Sequence, residues 1–414
     1  MNVLYLTFYF EPDIGPGSFR NTALVQELSR QLRSDDAIHV ITTRPNRYQA
    51  YKPTAPEHEQ QGYGNCPVTI DRIQIPTHKS GQLDQIRAFW TYFRTAYRLA
   101  RRQKYDLVVA SSSRLFTAFL GAVLVQRMNS GRNHRIPFYL DIRDLFREVM
   151  LEMHPNLLVR FLLNVVLRPV EWYTFSRANH INLVSEGFQT YFRSFRQATY
   201  SYFTNGIDNV FLTIPKSVPG PPTRIKTLLY AGNIGQGQGM HKIIPQAARQ
   251  LGEGYRFVIF GSGGAKNELE SRLRAENVTN VEIREPVSQA ELVIHYQNAD
   301  YLFLHLNDLA AFTRVLPSKL FEYGATDKPI VAGVAGYAAS FVRQHLPNAV
   351  VFVPGDVADL VRQVHETLYC TCPRTDFRAT FRREAISQAM VRQLLETLGN
   401  RLQIQLNRPN ETPV

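Results

Sequence analysis

The sequence is poor in cysteine and lacks any long apolar run. Its 414 residues include three cysteines, Cys66, Cys370 and Cys372, and an odd number without a C-x-x-C pair indicates neither a disulfide framework nor a zinc site. The apolar run at 115–125 is far shorter than the roughly 20 residues that span a bilayer. These absences favour a protein of a reducing compartment that does not cross a membrane.

The N-terminal segment lacks the basic start of a secretory signal peptide. MNVLYLTFYFEPD turns acidic after about ten residues, so it indicates a first strand rather than a leader. No run of proline, glycine or serine indicates a long flexible region. The chain therefore has the character of a globular protein.

The chain is also short of acidic residues. It has 35 Asp and Glu against 47 Lys and Arg, which gives a net charge of +12. A positive surplus of this size favours an anionic partner such as a phosphate, a lipid surface or a nucleic acid. Charge alone does not choose among these partners.

Strands alternate with helices in both halves of the chain, which predicts two parallel sheets covered by helices on both faces. The proline-rich segment IPKSVPGPPTRIK separates the two halves. Strands are predicted at 2–10, 37–43, 68–76, 106–110, 137–140, 180–184, 227–231, 257–260, 281–283, 301–306, 329–332 and 350–353. We predict an N-terminal Rossmann-like domain at 1–213, a linker at 214–226, a C-terminal Rossmann-like domain at 227–384, a helix at 385–405 and a tail at 406–414.

Three glycine-rich loops follow predicted strands. In Gly15-Pro16-Gly17-Ser18, unpaired backbone N–H groups and the dipole of the next helix attract an anion, although Ser18 is alternatively a plain N-cap. The loops YAGNIGQGQGMHK at 230–242 and FGSGG at 260–264 end neighbouring strands. They match neither a Walker loop nor a dinucleotide fingerprint, and together they suit a diphosphate.

The segment LPSKLFEYGATDKPIVAG at 316–333 carries the strongest pattern. Pro317 opens a helix with free N–H groups, Lys319 adds a cation in the first turn, and Glu322 follows one turn later. This arrangement predicts a diphosphate at the helix start and a ribose diol on the carboxylate. The alternative is an ordinary surface helix.

Charged residues follow the predicted strand at 137–140. Asp141, Arg143 and Asp144 combine carboxylates with a guanidinium, a set suited to proton transfer or charge stabilisation. We predict these three residues, with Lys319, as catalytic groups. The alternative is a structural salt-bridge cluster.

A basic segment rich in aromatics, RAFWTYFRTAYRLARRQK, occupies 87–104. It has six basic residues and no acidic one. On a helix Arg94, Arg98 and Arg101 lie along one stripe, a pattern typical of an interfacial helix on anionic lipid. We predict membrane contact by Trp90 and these three arginines. The alternative is a solvated basic face over buried aromatics.

The segments YFEPDIGPGSFR, DIRDL, FTNGID, LYAGNIGQGQGMHKII, FGSGGAKNEL, NADYLFLHL and LPSKLFEYGATDKPIVAG occur in an order that resembles glycosyltransferase family 4. The similarity is closest to the bacterial envelope-polysaccharide branch, which transfers N-acetylated aminodeoxy sugars, and it covers roughly 2–398. It implies the GT-B fold, two Rossmann-like domains facing a cleft. It also implies retaining, metal-independent transfer from a nucleoside diphosphate sugar.

The resemblance also implies roles for individual residues. Glu322 would bind the donor ribose, while Ser318, Lys319 and the backbone around Gly232 would hold the diphosphate. Gly17 would approach the diphosphate from the first domain, and the base would lie near Gly261 and 284–287. The predicted donor site is Gly17, Gly232, Asn233, Gly261, Glu285, Val287, Arg314, Ser318, Lys319 and Glu322.

The chain departs from the family pattern at three places. Arg314 stands where the first of two glutamates is usual, and Asn233 and Gln238 stand where an arginine and a lysine neutralise the diphosphate. The histidine often found after the fourth strand is replaced within 141–144. These departures leave Lys319 and Arg314 as the predicted cations.

The sequence therefore predicts a cytoplasmic, metal-independent hexosyltransferase that is peripheral at the inner membrane face. Its predicted co-substrate is a nucleotide-sugar donor, UDP-linked, with no cofactor, and its acceptor is a lipid-linked or other saccharide at an anionic membrane surface. Two alternatives remain: an epimerase acting on a nucleotide sugar, and a catalytically silent protein that binds one. Nucleic-acid binding would explain the charge but not the paired glycine loops, so no nucleic acid is predicted as a partner.

Overall fold

The computed structural model describes residues 1–46, 53–76, 82–112, 114–131, 135–215, 225–367 and 369–406, and the side chains of all these except 82–85 and 398–406. Most of the predicted linker, at 216–224, and most of the predicted tail, at 407–414, lie outside the described residues. Strands and helices alternate through both halves of the chain.

The first half builds one sheet with helices on both faces. Its described strands run in the order β3-β4-β2-β1-β5-β6-β7-β8, and all neighbours are parallel except β3 and β4. The elements are β1 (Asn2–Leu6), α1 (Pro16–Gln31), β2 (Ala37–Thr43), β3 (His58–Gln61), β4 (Val68–Ile73), α2 (Gln82–Ala100), β5 (Leu107–Ser112), α3 (Leu115–Asn129), β6 (Phe138–Ile142), α4 (Phe146–Met153), α5 (Leu157–Phe175), β7 (His180–Leu183), α6 (Gln189–Phe192) and β8 (Thr199–Ser201).

The second half repeats this architecture. Its described strands are parallel, in the order β11-β10-β9-β12-β13-β14. The elements are α7 (Asn209–Leu212), β9 (Lys226–Asn233), α8 (Met240–Leu251), β10 (Tyr255–Ser262), α9 (Lys266–Ala275), β11 (Val281–Arg284), α10 (Gln289–Asn298), β12 (Tyr301–His305), a 3-10 turn (Ala310–Arg314), α11 (Lys319–Gly324), β13 (Ile330–Gly333), α12 (Gly336–His345), β14 (Ala349–Phe352), α13 (Val357–Glu366), α14 (Thr375–Thr380) and α15 (Arg383–Leu406).

Helix α1 shows why the first elements form where they do. Pro16 opens the helix, where a missing N–H costs nothing because the first-turn donors have no helical acceptor. Leu24, Leu28 and Leu32 recur every fourth residue and are all buried, so one apolar stripe faces the sheet. The strands beneath are buried along nearly their whole length, as parallel strands between two helical layers must be.

The chain crosses between the domains twice. Ile207 and Phe211, which precede the predicted linker, and Ile214, its first residue, already pack in the core of the second domain. Helix α15 returns, because Val391 and Leu394 are buried in the core of the first domain. The two sheets, each covered by helices on both faces, confirm the predicted pair of Rossmann-like domains.

Two further features concern the absences in the sequence. None of the helices in the described ranges is long and apolar enough to span a bilayer. The three cysteines are free thiols, with Cys66 buried and Cys370 exposed.

Candidate functional site

A cavity of about 350 Å³ lies between the two domains, at the carboxyl ends of their strands. This is where ligands bind in open parallel sheets. The first domain contributes the loop after β1 and the residues after β5 and β6, and the second contributes the loop after β9, the end of β12 and the start of α11. The predicted site residues in its wall are Gly17, Arg143, Asp144, Gly232, Asn233, Ser318 and Lys319.

A smaller cavity of about 60 Å³ continues from the first along the loops of the second domain. The two cavities share Gly15, Gly232 and Lys319 in their walls. Three other predicted donor residues, Gly261, Val287 and Glu322, line the smaller cavity. The structure therefore brings most of the predicted donor set into one continuous space.

The carboxylate of Glu322 is held by two donors. Lys319 Nζ donates to Glu322 Oε2 at 2.9 Å, and the Tyr296 hydroxyl donates to the same oxygen at 3.0 Å. Burial and the neighbouring carboxylate raise the pKa of Tyr296 well above its usual value, so this hydroxyl stays protonated and donates. Tyr296 thus orients Glu322 from the core. Nothing in the sequence around Tyr296, which lies on α10, indicated this role.

Glycine lets Lys319 reach the cavity across the end of β9. A Cβ on Gly232 would lie 2.9 Å from Lys319 Cε, and a Cβ on Gly261 would lie 1.9 Å from the Gly232 carbonyl oxygen. The contact at Gly261 is with backbone and excludes a side chain there, whereas a side chain at Gly232 would displace the end of Lys319. Here the close approaches join the two glycine loops to each other and to the lysine.

Asn233 and Gln238, at the two positions where the resemblance implied an arginine and a lysine, are hydrogen-bonded to each other. Asn233 Nδ2 donates to Gln238 Oε1 at 3.0 Å, and the Gly235 N–H donates to the same oxygen at 3.2 Å. The Tyr230 hydroxyl donates to the Asn233 carbonyl oxygen at 2.8 Å. These neutral side chains stabilise the loop and bring no positive charge to the cavity.

Arg143 brings a positive charge from the first domain instead. Its guanidinium lies against Gly17, where a Cβ would be 2.4 Å from Nη1. Arg143 Nε and Nη1 are buried and have no hydrogen-bond partner among the described residues. Burial lowers the pKa of Arg143, although a guanidinium remains charged at neutral pH. An anion in the cavity would satisfy these donors.

Three polar residues of the cavity wall were missed. Ser18 Oγ and Asn205 Oδ1 are buried and lack partners among the described residues. Arg114 Nη2 donates to the Tyr9 hydroxyl at 2.9 Å, and its guanidinium lies 4.8 Å from the centre of the Phe8 ring. The sequence could have indicated Arg114 as a site residue, because it lies just after β5 as Arg143 lies just after β6.

Asp141 lies within the protein core rather than in the cavity. Strand β6 runs to Ile142, two residues beyond the predicted end, so Asp141 is a strand residue and is 0% exposed. It accepts from Arg20 Nε at 2.8 Å, Arg20 Nη2 at 2.9 Å and Asn182 Nδ2 at 2.7 Å. Burial alone would raise the pKa of Asp141, but Arg20 and Asn182 hold it below its usual value. The structural alternative, a salt-bridge cluster, therefore describes Asp141, which was predicted as a catalytic group and lies outside the cavity wall.

Two predicted donor residues also lie outside both cavities. Arg314 forms an ion pair with Glu148 of α4, and its carbonyl oxygen accepts from Ser185 Oγ at 2.5 Å. Glu285 pairs with Lys266 at 2.5 Å and its side chain is largely exposed. Arg314 thus joins the two domains, because α4 supplies the carboxylate of Glu148. The positive charge predicted at this position is therefore paired with Glu148 and does not face either cavity.

His305 lies in the wall of the larger cavity in a defined neutral form. The Gly355 N–H donates to Nε2 at 3.0 Å, which leaves Nδ1 to donate to the Gln238 carbonyl oxygen at 2.6 Å. Burial lowers the pKa of His305 from 6.5 to about 4. It is therefore uncharged at neutral pH, and both ring nitrogens are already used in hydrogen bonds.

The exposed stripe predicted on α2 is present. Arg94, Arg98 and Arg101 are exposed, and Trp90 is 61% exposed with its ring stacked on Phe93. This stripe lies away from the cavity wall. No three side chains of His, Cys, Asp and Glu in the described part of the chain are grouped as metal ligands would be.

Two Rossmann-like domains that face a shared cavity define the GT-B class, and this predicted fold is confirmed. Residues 215–387 match the family Glycosyl transferases group 1. The chain is similar along 97% of its length to sucrose-phosphate synthase from Thermosynechococcus elongatus, which it covers to 99%, with a TM-score of 0.70 and 12% identity. It is also similar over 98% of its length to WaaG, a glycosyltransferase involved in lipopolysaccharide biosynthesis, which it covers to 100%, with a TM-score of 0.61 and 12% identity.

A relative by sequence is WcaI of Escherichia coli strain K12, named as a colanic acid biosynthesis glycosyl transferase. It is 28% identical over 179 residues, which are 43% of this chain and 44% of the relative. The match thus spans less than half the length of that curated relative. The residues that match Glycosyl transferases group 1 cover most of the second domain.

The ion pair between Arg20 and Asp141 gives a first prediction. Replacing Asp141→Asn leaves Arg20 buried and charged without a counter-charge, so we expect the free energy of unfolding to fall by about 3–5 kcal/mol, measured by urea denaturation at neutral pH. The matched control is Asp35→Asn, which breaks an exposed pair with Arg33 and should leave the midpoint unchanged. Equal midpoints for the two variants would contradict the structural role.

His305 gives a second prediction, on pH. The unfolded chain binds a proton at this side chain below pH 6.5, while the folded chain does so only near pH 4. The free energy of unfolding should therefore fall as the pH drops from 6.5 to 4, by up to about 3 kcal/mol from this residue. His305→Gln should reduce that slope in urea denaturation at several pH values. The exposed His365 supplies the control variant His365→Gln, and equal slopes in both would disprove the assignment.

Proposed function

We propose that this protein is a retaining hexosyltransferase of surface polysaccharide synthesis. In this proposal it moves a sugar, such as an N-acetylated aminodeoxy sugar, from a UDP-linked donor to a lipid-linked saccharide. The observation that carries the proposal is the cavity between two sheets, with Lys319 on one side and Arg143 on the other. The group 1 domain at 215–387 and the similarity to WcaI support it.

The donor nucleotide would bind along the second domain. The smaller cavity, between Gly261 and Val287, would hold the base. The ribose hydroxyls would donate to Glu322, whose carboxylate Tyr296 already orients. The diphosphate would then lie beside Ser318 and Lys319 in the larger cavity.

Neutralising the diphosphate would need both domains. Asn233 and Gln238 are uncharged and bind each other, and Arg314 pairs with Glu148. Lys319 of the second domain and Arg143 of the first remain as cations in the cavity wall, joined by Arg114. Cations held in place before the reaction stabilise the charge that develops on the leaving phosphate.

Because of this charge arrangement, we propose that the transfer reaction needs no metal ion or cofactor. Two or three fixed cations around the leaving group would provide the stabilisation that a metal ion provides in other phosphate sites. A site divided between two domains would also form fully only when the domains close on the donor. Closure would couple donor binding to catalysis.

The surface of the first domain supports our proposals for the acceptor and the location. The exposed stripe of Trp90, Arg94, Arg98 and Arg101 on α2 is suited to anionic lipid headgroups. We therefore propose a peripheral enzyme on the cytoplasmic face of the inner membrane that uses a lipid-linked acceptor. The involvement of WaaG in lipopolysaccharide biosynthesis is consistent with this proposal.

Lys319 and Glu322 test the donor site. With a panel of UDP-sugars and a lipid-linked acceptor, Lys319→Ala should lower kcat by about two orders of magnitude, because the cation acts on charge in the transition state. Glu322→Ala should mainly weaken UDP binding, measured by calorimetry. Lys266→Ala and Glu285→Ala are matched controls, since this pair lies outside both cavities. Controls as damaged as the site variants, or no transfer by the wild type from any donor, would refute the proposal.

Arg143 tests whether the first domain supplies a cation. Arg143→Ala should lower kcat about 10- to 100-fold, because it removes a cation from the cavity wall. Added guanidinium should restore part of the rate. Arg33→Ala removes an exposed arginine of the first domain paired with Asp35 and serves as the control. An unchanged kcat for Arg143→Ala would remove this residue from the mechanism.

A further inference from the structure

Helix α5 exposes its apolar side. Seven large apolar side chains on it are between 55% and 75% exposed. At 3.6 residues per turn they cover about half of the helix circumference. We call them the apolar face of α5: Leu157, Leu158, Phe161, Leu162, Val165, Val166 and Trp172.

Two polar side chains of α5, Asn164 and Glu171, point into the protein instead. Arg147 of α4 donates to Asn164 Oδ1 at 2.9 Å and to Glu171 Oε2 at 2.5 Å. The Tyr191 hydroxyl donates to Glu171 Oε2 at 2.6 Å. These bonds hold α5 in one rotation about its axis, so the outward direction of the apolar face is built into the fold. A surface helix usually turns its apolar side chains to the core and its polar side chains to water. On α5 this arrangement is largely reversed.

The layer around α5 is basic. Arg160 and Arg168 are exposed at the edge of the apolar face, and Arg94 and Arg98 are exposed on α2. In the described side chains of α2, α3 and α5, the acidic residue is Glu171, which is buried. A large apolar patch on a protein surface marks an interaction site. Because the exposed residues around this patch are arginines, they favour a negatively charged partner.

The apolar face is continuous with the stripe on α2. The Trp90 ring stacks on Phe93 at 6.1 Å, Phe93 on Phe119 of α3 at 6.0 Å, and Phe119 contacts Tyr173 of α5 at 5.5 Å. Helices α2, α3 and α5 thus form one layer, in which α2 and α5 expose apolar side chains beside arginines. A flat, extended partner fits such a layer.

We propose that α5 is an interfacial helix that docks the protein on an anionic lipid bilayer. Its apolar face would be buried at the level of the upper acyl chains, and Arg160 and Arg168 would bind lipid phosphates with their aliphatic stems in the apolar layer. A second copy of the chain is a poorer occupant, because its identical arginines would lie opposite these. Arginine and phosphate charges attract where two arginine rims repel.

Docking through α5 would set the orientation of the cavity on the membrane. Helix α4 begins two residues after Asp144 of the cavity wall and ends at the exposed Met153 beside α5. Its Glu152 accepts from the Ala311 N–H at 3.0 Å, across the domain boundary. This inference deepens the proposed function, since it names the surface that would bring a lipid-linked acceptor to the cavity.

Vesicle flotation tests the docking without donor or acceptor, so the result does not depend on transferase activity. The wild type should float with vesicles of phosphatidylcholine and phosphatidylglycerol, and much less with phosphatidylcholine alone. The triple variant Phe161→Ser, Val165→Ser, Trp172→Ser should bind at least about tenfold more weakly, because it removes three of the seven exposed apolar side chains, both aromatic ones included. Arg160→Glu with Arg168→Glu should weaken binding and its salt dependence.

The matched control removes equally exposed apolar residues from the second domain. Ile225→Ser, Ile294→Ser and Val353→Ser change side chains that are 47–59% exposed and should leave vesicle binding unchanged. The inference fails if the wild type does not float, if the α5 variant floats like the wild type, or if the control loses as much. It also fails if sedimentation shows a dimer that only the α5 variant dissociates, which would assign the face to a second copy.

Discussion

The ion pair between Arg20 and Asp141 organises the edge of the first domain that faces the cavity. Arg20 of α1 binds a carboxylate on β6 and also donates to the carbonyl oxygens of Phe203 and Thr204. It therefore joins the first helix, a central strand and the segment that leads to the second domain. A buried guanidinium is tolerated because each of these acceptors is provided. Gly17 and Ser18 lie three and two residues before Arg20, and Arg143 lies two residues after Asp141, so one interaction positions both walls of the cavity in this domain.

Positive charge in the wall of the cavity comes from both domains. In the second domain Asn233 and Gln238 are uncharged and stabilise a loop. The cations near the cavity come from Lys319 and, across the gap, from Arg143 and Arg114. A diphosphate would thus be held from two sides. Such an arrangement makes domain closure a condition for full charge neutralisation.

The first domain has a second chemically distinct surface. Its outer helical layer combines the stripe on α2 with the apolar face of α5, while polar side chains of α5 are bound to Arg147 inside. Helix α4 connects this layer to the cavity wall and to the second domain through Glu148 and Glu152. The same short helix therefore links the proposed docking surface, the cavity and the domain boundary.

The sequence by itself determined the alternation of strands and helices, because apolar runs and glycine loops are local signals. It predicted twelve strands near their observed places but missed β3 and β8, which are short and lie at sheet edges where little apolar surface is buried. It also indicated Lys319, Glu322 and the glycine loops, since the carboxyl ends of parallel strands meet. Only the tertiary structure showed that Asp141 is buried, that Arg314 is paired and that the apolar face of α5 is exposed. Whether a carboxylate is buried, an arginine is paired or an apolar helix is covered depends on neighbours distant in the chain, which no local pattern records.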